Sequence, residues 1–375
     1  MLIRLAIKTL ASDRGKLIAG IIGVTFSVVL ANVQGGLFLG LIGKASILVD
    51  RGQADIWVGY KGMHNVDFPH DIPKRWIDRV RGVDGVERAV PLIIGFTDMT
   101  LPDGAFESVV VIGSDRDAVM GQFWNSPGAK DLELTQDDGI IVDDCDAYKL
   151  ANPQIGEYRE IGGLRSRVVG LSHGVLSFLV APYVFTSLET AARFSGKDPE
   201  MCSYFLVRVA PGADIKAVCK EINSRLPYAQ AMTASDYAGV SVDFWMTRTG
   251  IGISFGAATM LGLLVGLAMV AQILYAMVLD RINEFATLKA LGAREWEIIS
   301  ILMGQASGIA VCGISIGLVI TWLIQTNFDT PRAPIVIPLQ LVFASSIFVY
   351  LMCILTAAVP YIRVRSVDAH TVLQG

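Results

Sequence analysis

The sequence predicts an integral membrane α-helical protein, with four transmembrane helices and a large extracytoplasmic α+β domain inserted between helices 1 and 2. Three observations carry that expectation. Of 375 residues, 53% are hydrophobic and only 18% charged, whereas soluble domains are roughly a quarter charged, and the mean hydropathy is +0.51. Four long apolar stretches (17–43, 249–279, 298–328 and 333–362) contain no Asp, Glu, Lys or Arg. Residues 44–248, by contrast, carry most of the charge and many of the turn-forming Gly and Pro residues.

A helix needs about 20 apolar residues to cross the hydrocarbon core, so each stretch suffices. The expected order is an interfacial helix over 1–16, helix 1 over 17–43, the inserted domain over 44–248, and helix 2 with a projecting stalk over 249–279. A connecting segment follows over 280–297, then helix 3 over 298–328, a short outer loop over 329–335, helix 4 over 336–362 and a tail over 363–375. Ile3, Ile7 and Leu10 share one face of the N-terminal arm beside Arg4 and Lys8, the pattern of a helix lying at a membrane surface. The apolar run that follows is about twice the length of a secretory h-region, so it is expected to stay as an anchor.

Within 44–248, β-rich runs fall at 54–59, 88–96, 108–113, 139–142, 167–171, 183–186 and 204–209. Helical patterns fit 73–80, 188–194, 214–226 and 235–245, with Ser187 and Ser235 in N-cap positions. Short loops set the orientation. Arg4, Lys8, Arg14 and Lys16 precede helix 1, Arg281, Lys289 and Arg294 follow helix 2, and Arg363 and Arg365 follow helix 4. The positive-inside rule puts both termini and the 280–297 segment in the cytoplasm and the large domain outside.

A net charge of -4 gives no basic field for nucleic acid. The spans lack ionisable residues, which argues against a proton relay or ion path. Asn32 and Gln34 near the outer end of helix 1 suit polar contacts between helices. The glycine pairs Gly252/Gly256, Gly262/Gly266 and Gly313/Gly317 allow close helix packing, as do Gly36/Gly40 and Gly304/Gly308.

Two clusters suggest metal ligands. His64, Asp67, His70 and Asp71 stand close together, but Gly62, Pro69 and Pro73 mark an exposed loop. Asp137-Asp138-Gly139 and Asp143-Asp144-Cys145-Asp146 flank a short strand, where a turn and a helix N-cap account for them better than calcium does. Ser172-His173-Gly174 has no nucleophile-elbow context. Cys145, Cys202 and Cys219 fall in the inserted domain, and free thiols are expected. No metal site and no catalytic residue is expected.

The most informative segment is Arg281-Ile-Asn-Glu284-Phe285-Ala286-Thr287-Leu288-Lys289-Ala290-Leu291-Gly292-Ala293-Arg294. Phe285, Leu288 and Leu291 lie at helical spacing, with Arg281, Glu284 and Lys289 on other faces and Gly292 as a helix stop. This segment resembles the signature of the FtsX/MacB-like ABC transporter permeases. The order of one helix, a large domain and three helices is similar to theirs, and the chain looks most like the DevC-type permeases. Ala286 stands where the family favours Gly, Gln305 where an acidic residue is common, Asp368 for Pro and Gln374 for Arg.

The resemblance implies a permease subunit, not an enzyme, of an exporter that works by mechanotransmission in the bacterial inner membrane. ATP and Mg would be bound by a separate ATPase subunit, because no G-x-x-x-x-G-K-[ST] occurs in the chain. It implies that Arg281, Glu284, Phe285, Leu288, Lys289, Leu291 and Gly292 meet that ATPase. It also implies a homodimer of permeases, a periplasmic adaptor and an outer-membrane channel as partners. The alternatives are an FtsX-like regulator of cell-wall hydrolases that transports nothing, and a membrane-anchored enzyme.

Overall fold

The structure is a computed structural model that describes residues 14–115, 120–122, 124, 138–280, 282, 284, 287, 293–357 and 361. Its described residues divide into two compact units. The first comprises the chain up to Gly40, Ile253–Thr330 and the chain from Pro334 onward; the second comprises Leu41–Gly252 with Pro331–Ala333.

Among the described residues, four helices are long and apolar enough to cross a membrane: α1 (Arg14–Lys44), α7 (Ile251–Asp280), α8 (Glu295–Phe328) and α9 (Leu339–Thr356). Their outward faces are as apolar as their packed ones; Phe343, Trp322 and Leu355 all project outward. Such all-round hydrophobicity suits lipid on one side and neighbouring helices on the other. The packed core of this unit includes Val24 and Val28 of α1, Val270 and Leu274 of α7, Leu302, Ile309 and Ala310 of α8, and Val349 of α9. Helix α9 begins at Leu339, three residues later than expected, because Pro338 occupies its N-cap position in an extended conformation. Of the interfacial helix expected over 1–16, residues 1–13 lie outside the described residues and residues 14–16 belong to α1; the tail with Arg363, Arg365, Asp368 and Gln374 also lies outside them.

The second unit is an α+β domain. After α1 comes the short helix α2 (Ile47–Arg51), then β1 (Ile56–Tyr60), the two-residue β2 (Ile72–Pro73), a 3₁₀ turn (Lys74–Trp76) and α3 (Ile77–Arg81). Strands β3 (Val86–Thr100), β4 (Phe106–Ser114), β5 (Gly139–Asp143), β6 (Tyr158–Ile161), β7 (Leu164–Ser172) and β8 (Tyr183–Ser187) follow. Then come α4 (Leu188–Phe194), β9 (Met201–Cys202), β10 (Tyr204–Val209), α5 (Ile215–Arg225), β11 (Ala229–Thr233) and α6 (Ala234–Arg248). The main sheet runs β11-β1-β10-β3-β4-β8-β5-β7-β6. Strand β6 also pairs with the far end of β3, so β3, β4, β8, β5, β7 and β6 close into a ring of pairings. Among the described residues, only β4–β8 and β5–β7 are parallel.

Both faces of this sheet are covered, which explains why its strands read as continuous apolar runs. On β1, Ile56 and Val58 enter one core and Trp57 the other. On β4, Val109 and Val111 face the first, Val110 and Ile112 the second. Helices α3, α4 and α5 cover the first face; α2 and α6 contribute to the second. The Ser187 hydroxyl caps α4 by accepting from the Thr190 N–H at 3.3 Å. For α6 the cap is Thr233, whose hydroxyl accepts from the Asp236 N–H at 3.1 Å; the expected cap, Ser235, is already within the helix.

The expected helix over 73–80 is a 3₁₀ turn followed by one turn of α-helix. No helix starts at Asp143: its carboxylate organises a turn by accepting from the Cys145 N–H, and residues 144–151 continue as turns. All five cysteines are free thiols; Cys202 and Cys219 are buried in the sheet domain.

Candidate coupling site

Among the spans, glycines let α7 and α8 approach α1. A Cβ on Gly266 would strike the Ser27 hydroxyl, and one on Gly262 the Leu30 side chain. A Cβ on Gly313 would sit 2.5 Å from Val24 Cβ, and one on Gly317 2.8 Å from Val28 Cβ. Both seams are within the chain. The Gly252/Gly256 pair does not make such a seam: a Cβ on Gly256 would meet nothing within 4 Å, and Gly252 faces the Met246 backbone of the preceding turn.

Polar groups add to these seams. Thr25 donates to the Gly313 carbonyl at 3.2 Å. The buried Asn32 amide donates to the Val28 carbonyl at 2.8 Å and accepts from Ser345 of α9 at 3.1 Å. Ser307 and Tyr350 join α8 to α9 at 2.9 Å. Gln305 is buried inside the bundle.

The connector end of the bundle carries the segment singled out in the sequence. Helix α7 ends at Asp280, whose carboxylate pairs with Lys16 of α1. Arg294 is the N-cap of α8: its N–H donates to the Glu297 carboxylate at 2.8 Å, and its carbonyl accepts from the Glu297 N–H at 2.9 Å. The Tyr361 hydroxyl donates to the Glu295 carboxylate at 3.0 Å. Of the expected contact residues, Glu284 is helical and exposed. Arg281, Phe285, Leu288, Lys289, Leu291 and Gly292 lie outside the described residues.

In the sheet domain, the stretches that lead to the spans are tied together. Ile42, Ala45, Phe178 and Trp245 form one apolar cluster. Ser241 of α6 donates to the Ala45 carbonyl at 2.7 Å. Trp245 packs against Phe178 with ring centres 4.2 Å apart, and its indole N–H donates to the Asp67 carboxylate at 3.3 Å. Tyr237 of α6 donates to the Asn65 carbonyl at 3.0 Å and lies 2.8 Å from the Tyr204 hydroxyl. Just beyond, Gly250 takes φ +73°, and α6 and α7 are separate helices.

Asp67 is only 3% exposed. Burial among these rings raises its carboxyl pKa to about 7, against the smaller opposing pull of the Trp245 N–H. The Tyr183 hydroxyl is buried nearby without a hydrogen bond of ordinary geometry, and the same burial holds its pKa well above 10. The four clustered residues His64, Asp67, His70 and Asp71 are thus dispersed. His64 lines an open cleft, His70 packs on the Tyr60 ring at 5.5 Å, and Asp71 pairs with Lys197 at 2.5 Å.

The short 331–333 stretch also rests on this domain. The Arg332 guanidinium donates to the Cys145 carbonyl, at 3.2 Å from Nε, and stacks 4.1 Å from the centre of the Tyr148 ring. Its own carbonyl accepts from Lys44 at 3.0 Å. Sequence reasoning missed this contact, since a lone Arg in a short loop carries no signal of what it grips.

Comparison with known proteins adds two family matches. The MacB-like periplasmic core domain matches residues 17–225, more than half of the chain, and the FtsX-like permease C-terminal domain matches residues 256–369. No curated protein matches. Among solved structures, the periplasmic region of MacB from Actinobacillus actinomycetemcomitans is similar at 9% identity and TM-score 0.38, covering 49% of this chain and 91% of that one. The extracellular domain of the noncanonic ABC-type transporter YknZ from Gram-positive bacteria follows at 15% and 0.35, covering 48% and 98%. A domain of a putative permease from Porphyromonas gingivalis has 13% and 0.34, covering 50% and 90%.

Proposed function

Because this chain belongs to the FtsX/MacB-like ABC permeases, we propose that it is the transmembrane subunit of an ABC exporter driven by a separate ATPase. In this reading the ATPase docks on the 280–297 connector, closes on ATP and displaces the inner ends of α7 and α8. The observation that carries it is α7 itself, one unbroken 30-residue helix running from the Gly250 junction to Asp280 at the edge of the connector. A continuous hydrogen-bonded helix transmits axial displacement with little loss, and α6, at its other end, is fastened to the domain core through Tyr237, Ser241 and Trp245.

The termini and connector lie in the cytoplasm, the sheet domain in the periplasm, and two permeases pair with two ATPase copies. An adaptor and an outer-membrane channel complete the path. The cargo is a lipid, glycolipid, peptide or small amphipathic molecule.

The test is affinity purification of the tagged full chain in detergent, with ATPase assay and mass spectrometry of what co-elutes. An ATPase whose turnover the permease stimulates is expected, with an adaptor beside it. Replacing Leu288 and Leu291 together with Asp should abolish stimulation while leaving the chain folded. Unchanged stimulation in that variant refutes the docking site, and recovery of a cell-wall hydrolase in place of an adaptor refutes export.

A further inference from the structure

Strands β5 and β7 run parallel, with Asp143 beside Ser172, so the turns leaving their C-terminal ends lie side by side. One turn begins Asp144-Cys145; the other begins with His173. The His173 Nδ1 lies 2.9 and 3.0 Å from the two Asp144 carboxylate oxygens and 3.9 Å from Cys145 Sγ. All three donor atoms fall within 4.8 Å of one another, the one such group among the described residues.

A tetrahedral zinc ion with bonds of about 2.3 Å to sulfur and about 2.0–2.1 Å to nitrogen and oxygen holds S and N ~3.6 Å apart and N and O ~3.4 Å apart. The observed separations depart from these by less than about half an ångström, in opposite directions, which is within reach of small side-chain rotations.

The two turns are held in place from below by a group outside the triad. Asp143, 1% exposed, accepts four hydrogen bonds. Its Oδ1 takes the N–H groups of Cys145 at 3.0 Å and Gly174 at 3.2 Å; its Oδ2 takes the Ser172 hydroxyl at 2.8 Å and the Val175 N–H at 2.7 Å. Each turn is therefore fixed at residues adjacent to or within the donor set, and the donors pay little ordering entropy on meeting an ion. The side chains of His173 and Asp144 are 65% and 46% exposed, leaving an entry path and an open coordination position. One thiolate, one imidazole and one carboxylate suit zinc and its neighbours; calcium and magnesium prefer oxygen alone.

We propose that Asp144, Cys145 and His173 form a binding site for a zinc-class divalent ion on the sheet domain, with the fourth position open to water or an incoming ligand. The rival is a plain His–Asp surface pair, which needs no cysteine and binds no metal. The inference does not rest on the exporter reading.

The test is a Co²⁺ titration of the reduced, metal-free full chain in detergent micelles. The expected result is a thiolate-to-cobalt charge-transfer band in the near ultraviolet, saturating at one ion per chain and bleached by Zn²⁺. C145S should abolish the band. H173A and D144N should each weaken binding by at least about tenfold, no less than the loss of an outer-shell partner costs. Zn²⁺ should also protect Cys145 from maleimide, read by mass spectrometry of its peptide, and melting curves confirm that the variants fold. No band in the reduced chain overturns the proposal. So does a band that persists in C145S, or affinity unchanged in both H173A and D144N.

Discussion

The buried carboxyl of Asp67 makes the stability of the sheet domain pH-dependent in a direction opposite to most carboxylates. In the folded chain its pKa is raised from 3.8 to about 7, so between those values the native state holds a proton that the unfolded chain has released. Stability from this group is full below the unfolded pKa, falls as pH rises, and is lost once pH passes the folded value. The whole shift is about three units, worth about 4 kcal/mol at 1.36 kcal/mol each. Part of it is already lost at pH 5; integrating the two titrations gives about 2.5 kcal/mol between pH 5 and pH 8. For a domain of this size that corresponds to about 5–10 °C in Tm.

The perturbation is Asp67→Asn, which keeps an oxygen to accept from Trp245 and removes the ionisation. Thermal unfolding of the full chain in micelles, followed by tryptophan fluorescence at one scan rate, gives the difference between wild type and variant at each pH. Other titrating groups cancel in that difference. The variant should gain about 2.5 kcal/mol on wild type as pH rises from 5 to 8. Parallel curves for the two proteins across that range would show that the carboxyl is not protonated in the native domain, and the reasoning from burial would fail.

Two further substitutions test the packing. Gly266→Val drives a branched side chain into Ser27 and should cost about 1–3 kcal/mol, seen as a lower Tm, while Gly256→Val, with open space around its Cβ, should stay within about 0.5 kcal/mol of wild type. Ser187→Ala removes the cap of α4 and should cost about 1 kcal/mol, or about 2–4 °C in Tm; no change would mean that the Thr190 N–H finds another acceptor.

Much of the architecture was legible because it rests on local rules. The four spans follow from runs without charge, and seven strands from clusters of Val, Ile, Phe and Tyr. Strand β11 escaped because Ala229-Gln-Ala-Met-Thr233 contains no β-branched residue before its last and no aromatic. It pairs because β1 offers an edge, a fact of tertiary structure. Strand β6, with Arg159 and Glu160 in four residues, is too short and polar to signal itself.

The glycine pairs show the same boundary. Gly252/Gly256 and Gly262/Gly266 have identical spacing, and only what stands opposite tells them apart. Asp67 reads as a loop residue between His64 and Pro69; its cover comes from Tyr204, Tyr237 and Trp245, more than 130 residues away in sequence. His173 joins Asp144 only because β5 and β7 run parallel, a pairing that leaves no trace in either segment.

The unequal lengths of the spans have a mechanical consequence. At 1.5 Å per residue, the 18 residues of α9 reach about 27 Å, while the 30 of α7 and the 34 of α8 reach about 45 and 51 Å. A hydrocarbon slab about 30 Å thick is shorter than either α7 or α8, so both have apolar length to spare along the membrane normal. The longer helices can travel several ångströms in that direction and still present hydrocarbon to hydrocarbon. A shift of either helix by one turn along its axis therefore exposes no charge to lipid and costs little in hydrophobic mismatch.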